Sequence, residues 1–317
     1  MRRELSLSIA VLLLAGVLIV AAPGFFTAAN LRDLVIANIP VLIASVGMTL
    51  VILAGQIDIS VGSQFAICGV MAGVAAKLVP SAPVASAVTA ACLAGALLGA
   101  ANGALTSFAQ IPSIVVTLAT MVALRDGLRW ATGGAWIQNL PAGFQWFGGS
   151  QATSEVITVA AAVLLTAAAA WSLRNLAAGR AIYATGSNPD GARLAAIDPA
   201  RVVFVVFVLA GMLAGFAALF NAVRFNQVPS NAGIGMEMRV IAAVIVGGAS
   251  VTGGRGTILG TVLGVILLGM VGPALTFMGI NAYWERAIQG AIILAAVAID
   301  AVRRKGVHAG GPAVQRA

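Results

Sequence analysis

From Leu5 onward the chain alternates long apolar runs with short polar breaks, and the runs are too long for strands and too uniformly apolar for one-sided surface helices. Runs of about 20 mostly apolar residues predict membrane-spanning helices. They fall near 5–22, 36–54, 61–78, 84–108, 113–130, 155–173, 202–222, 238–250, 257–277 and 284–302. Turn and helix-stop chemistry separates them, as at Ala22-Pro23-Gly24 and at the polar edge from Asn30 to Asp33. Arg2 and Arg3 before the first run resemble a secretory signal, but the run is longer than a signal core and leads into further spans, so it reads as a retained helix. The eighth run is short for a full crossing and ends in glycine, which predicts a broken or partly re-entrant helix. The pattern as a whole predicts an all-α fold: a polytopic transmembrane helical bundle of about ten spans, one domain over 1–317, with a polar loop at 174–201 and a polar tail at 303–317.

Charge sets the orientation. With the N-terminus inside, eleven cations face the cytoplasm: Arg2, Arg3, Arg174, Arg180, Arg193, Arg201, Arg255, Arg303, Arg304, Lys305 and Arg316. Seven remain outside: Arg32, Lys77, Arg125, Arg129, Arg224, Arg239 and Arg286. Ten spans then put both termini and the longest basic loop on the cytoplasmic side, as the positive-inside rule requires. The opposite loop, 131–154, holds Trp136, Phe144, Trp146 and Phe147, which fits an aromatic interfacial belt.

Composition narrows the chemistry. Of 317 residues 60% are hydrophobic and 9% charged, against about 25% charged in soluble domains, so the chain has a lipid bilayer as its solvent. Its cations are dispersed at segment ends, which argues against a nucleic-acid footprint. Cys68 and Cys92 lie in apolar runs without metal-ligand spacing, and the single histidine, His308, is in the tail. Neither a metal site nor histidine catalysis is expected. The 37 glycines recur at four-residue spacing (Gly69 and Gly73; Gly95, Gly99 and Gly103; Gly211 and Gly215; Gly256, Gly260 and Gly264), as close helix packing in lipid requires.

Three polar segments stand out. In Gly55-Gln56-Ile57-Asp58-Ile59-Ser60-Val61-Gly62-Ser63, between the second and third runs, Asp58 favours a tight turn and a cap on the third helix; a role in ion coupling is the alternative. The loop from Arg174 to Arg201 contains Gly186, Asn188, Pro189, Ala192, Arg193, Leu194, Ala195 and Ile197 in a pattern that predicts a short helix over 190–196, either a docking surface or a solvated connector. The stretch from Gly233 to Thr257 carries Glu237 and Arg239 at a helix start, read as an edge pair or helix-start charge, and Gly247-Gly248 and Gly253-Gly254-Arg255-Gly256 around a turn. That turn lacks the spacing of a phosphate cradle, and no GxxxxGK[ST] occurs, so ATP chemistry belongs on another chain.

Together the three segments resemble the permease subunits of bacterial ABC importers of the ribose, xylose and arabinose type, a family that also serves related sugars and the furanosyl signal autoinducer-2. Gly55 to Ser63 is similar to the family's Gly-Gly-Ile-Asp-Leu-Ser-Val-Gly-Ser motif, Gly186 to Ile197 to its cytoplasmic coupling loop, and Glu237 to Thr257 to its long glycine-rich stretch. Gln56 stands where that family usually has Gly, Ala196 where Gly often precedes Ile, and Met236 and Met238 flank Glu237. The resemblance implies a non-enzymatic inner-membrane subunit that binds no cofactor itself. It implies an assembly of two permeases, identical or paralogous, with two ATP-binding subunits that hold ATP and Mg and a periplasmic solute-binding protein.

A neutral polyol needs polar, uncharged pathway groups, and the candidates are Gln56, Asn102, Asn221, Asn226 and Gln227; each suits hydrogen bonding between helices better than lining a path. Two other functions fit the sequence less well. An ion-coupled secondary transporter needs titratable groups inside the membrane, whereas the acidic residues here fall at predicted span ends or in loops, with Asp126 beside Arg125 and one turn from Arg129. A membrane-embedded enzyme needs a carboxylate cluster, metal site or activated nucleophile, and no such grouping is apparent in the sequence.

Overall fold

The computed structural model describes residues 2–225, 227–281, 284–285, 287–292 and 294. Its helices are α1 (Arg2–Ala21), α2 (Ala28–Leu53), α3 (Val61–Leu78), α4 (Pro83–Ser107), α5 (Ser113–Thr132), α6 (Gln151–Asn175), α7 (Ala177–Ser187), α8 (Pro189–Leu194), α9 (Pro199–Ala222), α10 (Met236–Val246) and α11 (Ile258–Phe277). The only sheet among the described residues is a two-residue antiparallel clasp, β1 (Ile137–Gln138) on β2 (Gln227–Val228).

Among the described residues, seven helices are long and apolar enough to cross a bilayer: α1, α2, α3, α4, α6, α9 and α11. Three of the ten expected spans are not among them. The α5 helix has the length, but its last turns carry Arg125, Asp126 and Arg129, and charge at that density is costly in hydrocarbon. The α10 helix has 11 residues, about 16 Å, or half the hydrocarbon core. Most of the run 284–302 lies outside the described residues, as do Asn226 and the tail 303–317.

The central helix is α2, 78% buried across its apolar window and packed against α6, α9, α10 and α11, whereas α1, α4 and α6 keep most of their surface outward. With lipid as solvent, packing rather than water exclusion must hold the helices together, and glycine supplies it. On α4 and α9, Gly95 faces Gly211, Gly99 faces Phe207 and Gly215 faces Ala91; a Cβ on any of the four glycines would overlap a main-chain oxygen across the interface. The expected small-residue packing is thus within this chain. A buried hydroxyl pair, Thr49 on α2 and Thr261 on α11 at 2.7 Å, ties two further helices.

The chain between α9 and α10 does not stay at the membrane edge. Val228 packs on Gly69 and Gly73 of α3, while Gly233 and Glu237 press on Gly62 near the start of that helix. From residue 73 to 62 along α3 is about 16 Å, so the segment 228–235 descends beside α3 by that distance before α10 begins. In place of a full-length eighth helix the chain has this loop followed by the 11-residue α10.

Candidate functional site

The three segments singled out by sequence converge at one end of the bundle. Gly254 N donates to the Leu53 carbonyl at 2.9 Å, at the end of α2. Gly186, in the last turn of α7, sits against the same carbonyl and 2.7 Å from Gly254 N by its Cβ position, and a side chain there would have no room. Gly253 adopts φ +85, with Gly55 Cα and the Gly186 carbonyl 2.7 and 2.8 Å from where a Cβ would stand. Both the left-handed backbone and the close approach exclude other residues. Around this knot the Tyr183 hydroxyl donates to Gly256 O at 2.8 Å and Ser250 N to Arg255 O at 2.8 Å, while the Arg255 side chain points to the exterior. Gly247 faces Gly260 where α10 meets α11, and Gly248 turns the chain away with φ +94.

From the knot the chain passes directly into α8. Asn188 is its N-cap, Oδ1 accepting from Gly191 N at 3.0 Å, and Pro189 takes the first helical position. Its end is a paired C-terminal closure: Ala196 N bonds to Arg193 O, Ile197 N to Ala192 O, and Ala196 lies at φ +60. The helix therefore spans 189–194 rather than 190–196, and the residues before it form the helix α7, which the sequence reading treated as loop. Gly179, Ile182 and Thr185 are its buried face, repeating every third residue. Ala192 is buried and Ile197 half-buried, but Leu194 projects with 92% of its surface exposed, beside an exposed Arg193–Asp190 ion pair at 2.7 Å.

The second segment forms a buried polar cluster. Asp58 is 1% exposed; Oδ1 accepts from Ser60 N at 2.9 Å and Ser60 Oγ at 2.6 Å, and Oδ2 from Gln64 Nε2 at 2.8 Å. The expected cap is corrected, because the carboxyl reaches no first-turn N–H of α3 and Ser60 occupies the N-cap without a side-chain bond. Burial pushes the Asp58 carboxyl above the usual range, against the pull of its donors. Asn102 donates to Ser60 Oγ at 2.8 Å and is itself 1% exposed, so it binds helices together and does not line a path. Ser63 donates to the Met121 carbonyl at 2.8 Å, and Gln56 is half-buried near the knot.

Glu237 is not paired with Arg239. It is 6% exposed and meets Arg125 of α5 at 3.3 Å, with its charge in the first turn of α10, where the helix dipole favours it. Two acidic residues, Asp58 in the turn before α3 and Glu237 in the first turn of α10, are thus buried although they fall at helix ends as expected; the Asp126–Arg129 pair, at 4.0 Å, is exposed. Of the aromatic loop, Phe144 is fully buried and Trp146 and Phe147 half-buried, leaving Trp136 as its exposed ring.

Two cavities flank Arg239. One, about 290 Å³, runs between α2, α11 and Glu285 from Asn30 to Val41; the other, about 260 Å³, lies under Asn221, Asn231 and Gly233. Of the pathway candidates, Asn221 lines one of these two cavities, and Gln227 is exposed on β2. Sequence reading missed Arg239, Asn38 and Glu285 as cavity residues. The available signal was proline: Pro40 and Pro273, inside α2 and α11, each line one of the cavities, and helix-breaking residues in spans are tolerated where they border protein or a cavity.

Residues 30–297 match the family described as branched-chain amino acid transport system / permease component. The chain belongs to this permease family. The permease is 34% identical over 305 residues to the autoinducer 2 import system permease protein LsrC of Enterobacter sp. (strain 638), covering 96% of this chain and 88% of that protein. It is 36% identical over 293 residues to LsrC of Escherichia coli (strain K12 / DH10B), covering 91% and 85%, and 35% identical over 276 residues to LsrC of Yersinia pseudotuberculosis serotype O:1b (strain IP 31758), covering 86% and 77%. No solved structure matches. The permease is thus a multi-spanning inner-membrane component of an ABC import system and not itself an enzyme.

Proposed function

We propose that the permease carries a furanose-like or five-carbon polyol solute of the autoinducer-2 class across the inner membrane, driven by ATP hydrolysis on a separate subunit. The relatives named for autoinducer-2 import, similar over about nine-tenths of the chain, support the solute class. The carrying observation for the mechanism is the knot. Three segments distant in sequence share one backbone joint, and the joint continues into a helix whose largest apolar side chain, Leu194, has no cover.

In this reading α8 is the coupling helix, the knot end faces the cytoplasm, and an ATP-binding subunit covers Leu194 and Arg193. ATP and Mg are held by that subunit. Nucleotide-driven movement of the partner displaces α8, and because Gly186 has no free space against Leu53 and Gly254, the displacement passes to α2 and to the α10–α11 turn without slack. Two permeases, identical or paralogous, form the pathway, and a periplasmic solute-binding protein delivers the solute at the opposite end, where β1 and β2 meet.

The test is uptake in proteoliposomes containing the assembled importer and its binding protein. Leu194→Asp, Asn188→Arg and Arg193→Glu should leave the permease inserted while abolishing solute-stimulated ATPase activity and uptake together. Normal ATP-dependent uptake by all three would overturn the docking assignment.

A further inference from the structure

The outer cavity between α2, α10 and α11 has features that helix packing alone does not require. Gly269 and Gly272, three apart on α11, leave open the space into which two polar side chains reach: a Cβ at Gly269 would stand 2.5 Å from Asn38 Oδ1, and one at Gly272 2.9 Å from the Glu285 carboxylate. Pro273 follows on the same wall. Having no N–H, it leaves the Gly269 carbonyl without its helical donor, an acceptor at the same level as Asn38. Asn38 Nδ2 donates to Leu34 O at 2.8 Å and Gln289 Nε2 to Glu285 Oε1 at 2.9 Å, so both walls are oriented by bonds of their own. Arg239, from the first turns of α10, closes the third side and makes no ion pair among the described residues.

We propose that this cavity is a solute station within the permease, specific for a neutral, sugar-sized polyol, with Arg239 and Asn38 as donors and Glu285, Asp33 and the Gly269 carbonyl as acceptors. The inference rests on the import reading above and names the site through which it operates. A polyol hydroxyl both donates and accepts, and the cavity supplies both kinds of partner at its polar end, while Val41, Val265 and Leu268 give an apolar floor for the carbon face. The volume of about 290 Å³ is near the lower limit for small-ligand pockets, about 300 Å³, which suits a five-carbon solute. The second cavity shares Ala37, Val41 and Arg239 with the first. Arg239 thus stands between an outer chamber and an inner one bordered by the descending loop, and a solute passing inward exchanges partners at this side chain.

The experiment uses the purified permease–ATPase complex, with radiolabelled autoinducer-2, D-ribose and L-leucine as probes, and measures equilibrium retention without the binding protein alongside ATP-driven uptake with it. Saturable retention of a polyol by the unaltered complex is expected. Arg239→Gln and Glu285→Gln should each weaken it about tenfold or more, the scale of a lost hydrogen bond to a charged group, and should raise the KM of uptake more than they lower kcat. Arg129→Gln, on the exposed end of α5, is the control. If Arg239→Gln does not yield a folded complex on size exclusion, Asn38→Ala decides in its place. Polyol uptake that persists with unchanged KM in the variants, or without retention in the unaltered complex, overturns the station and leaves the import reading standing. Retention and uptake of leucine with neither polyol overturns the import reading itself.

Discussion

At Leu53 the central helix meets other backbones directly, through Gly186 and Gly254, with no side chain between them. Nearer its start, from Asn30 to Val41, the same helix borders cavities, carries Pro40 and faces Arg239 and Glu285. One region has no free volume and few charges; the other has free volume, unpaired main-chain acceptors and charges of both signs. In the proposed mechanism the helix joining them carries a displacement imposed at the crowded end to the open end. Crowding suits transmission and openness suits exchange, and the chain places each where its small residues and prolines fall.

The comparison breaks most severely at the knot. Gly186→Val should cost about 3 kcal/mol or more, the upper range for overpacking against backbone, read as a lowered midpoint of thermal unfolding in detergent, while a valine at Gly127, which has nothing near it, should change little. At the boundary between the regions, Glu237→Gln leaves Arg125 half-covered without its partner. Because Arg125 keeps 24% of its side chain exposed, the loss should be about 2 kcal/mol, below the range for fully buried pairs.

Asp58 sharpens the picture through pH. Its folded pKa is raised by burial, so its contribution is greatest when it is protonated and falls as pH rises from the ordinary carboxylate range through the folded value. The destabilisation caused by Asp58→Asn should therefore be larger at pH 5 than at pH 8; a gap that widens with pH would show that its three donors outweigh burial. Smaller still, Ala196→Gly should stabilise the permease by about 1 kcal/mol, since Ala196 occupies the left-handed region at φ +60. Asp126→Asn should change stability by less than about 0.5 kcal/mol, its pair with Arg129 being exposed.

Much of this was legible in the sequence because lipid imposes a simple rule: long apolar runs must be helices, and seven of the ten expected spans are such helices. The three polar segments were legible as motifs and their meeting was not, since nothing local to Gly55, Gly186 or Gly254 states that they touch. The α7 helix was hidden because its sequence is mostly small residues, with Ile182 and Tyr183 as its large apolar ones, while its burial repeats only at Gly179, Ile182 and Thr185. Glu237 and Arg239, two apart, read as an edge pair, yet residues at that spacing point to different sides of a helix; Arg125 lies 112 positions away. The glycine that the family pattern often carries at position 196 has a visible reason, for the position demands the conformation that glycine adopts without strain; nothing in the structure explains the alanine here.

The clasp of β1 on β2 joins Ile137 to Val228 and Gln138 to Gln227, stretches separated by α6 through α9. Drawing together the ends of a segment of about ninety residues carries an entropic penalty of about 4 kcal/mol, more than two paired residues return. The clasp therefore closes only after the intervening helices have assembled. During biogenesis it is a late event, and in the mature protein it reports on α4 against α9: hydrogen exchange at Gln227 should quicken before any exchange within those helices does.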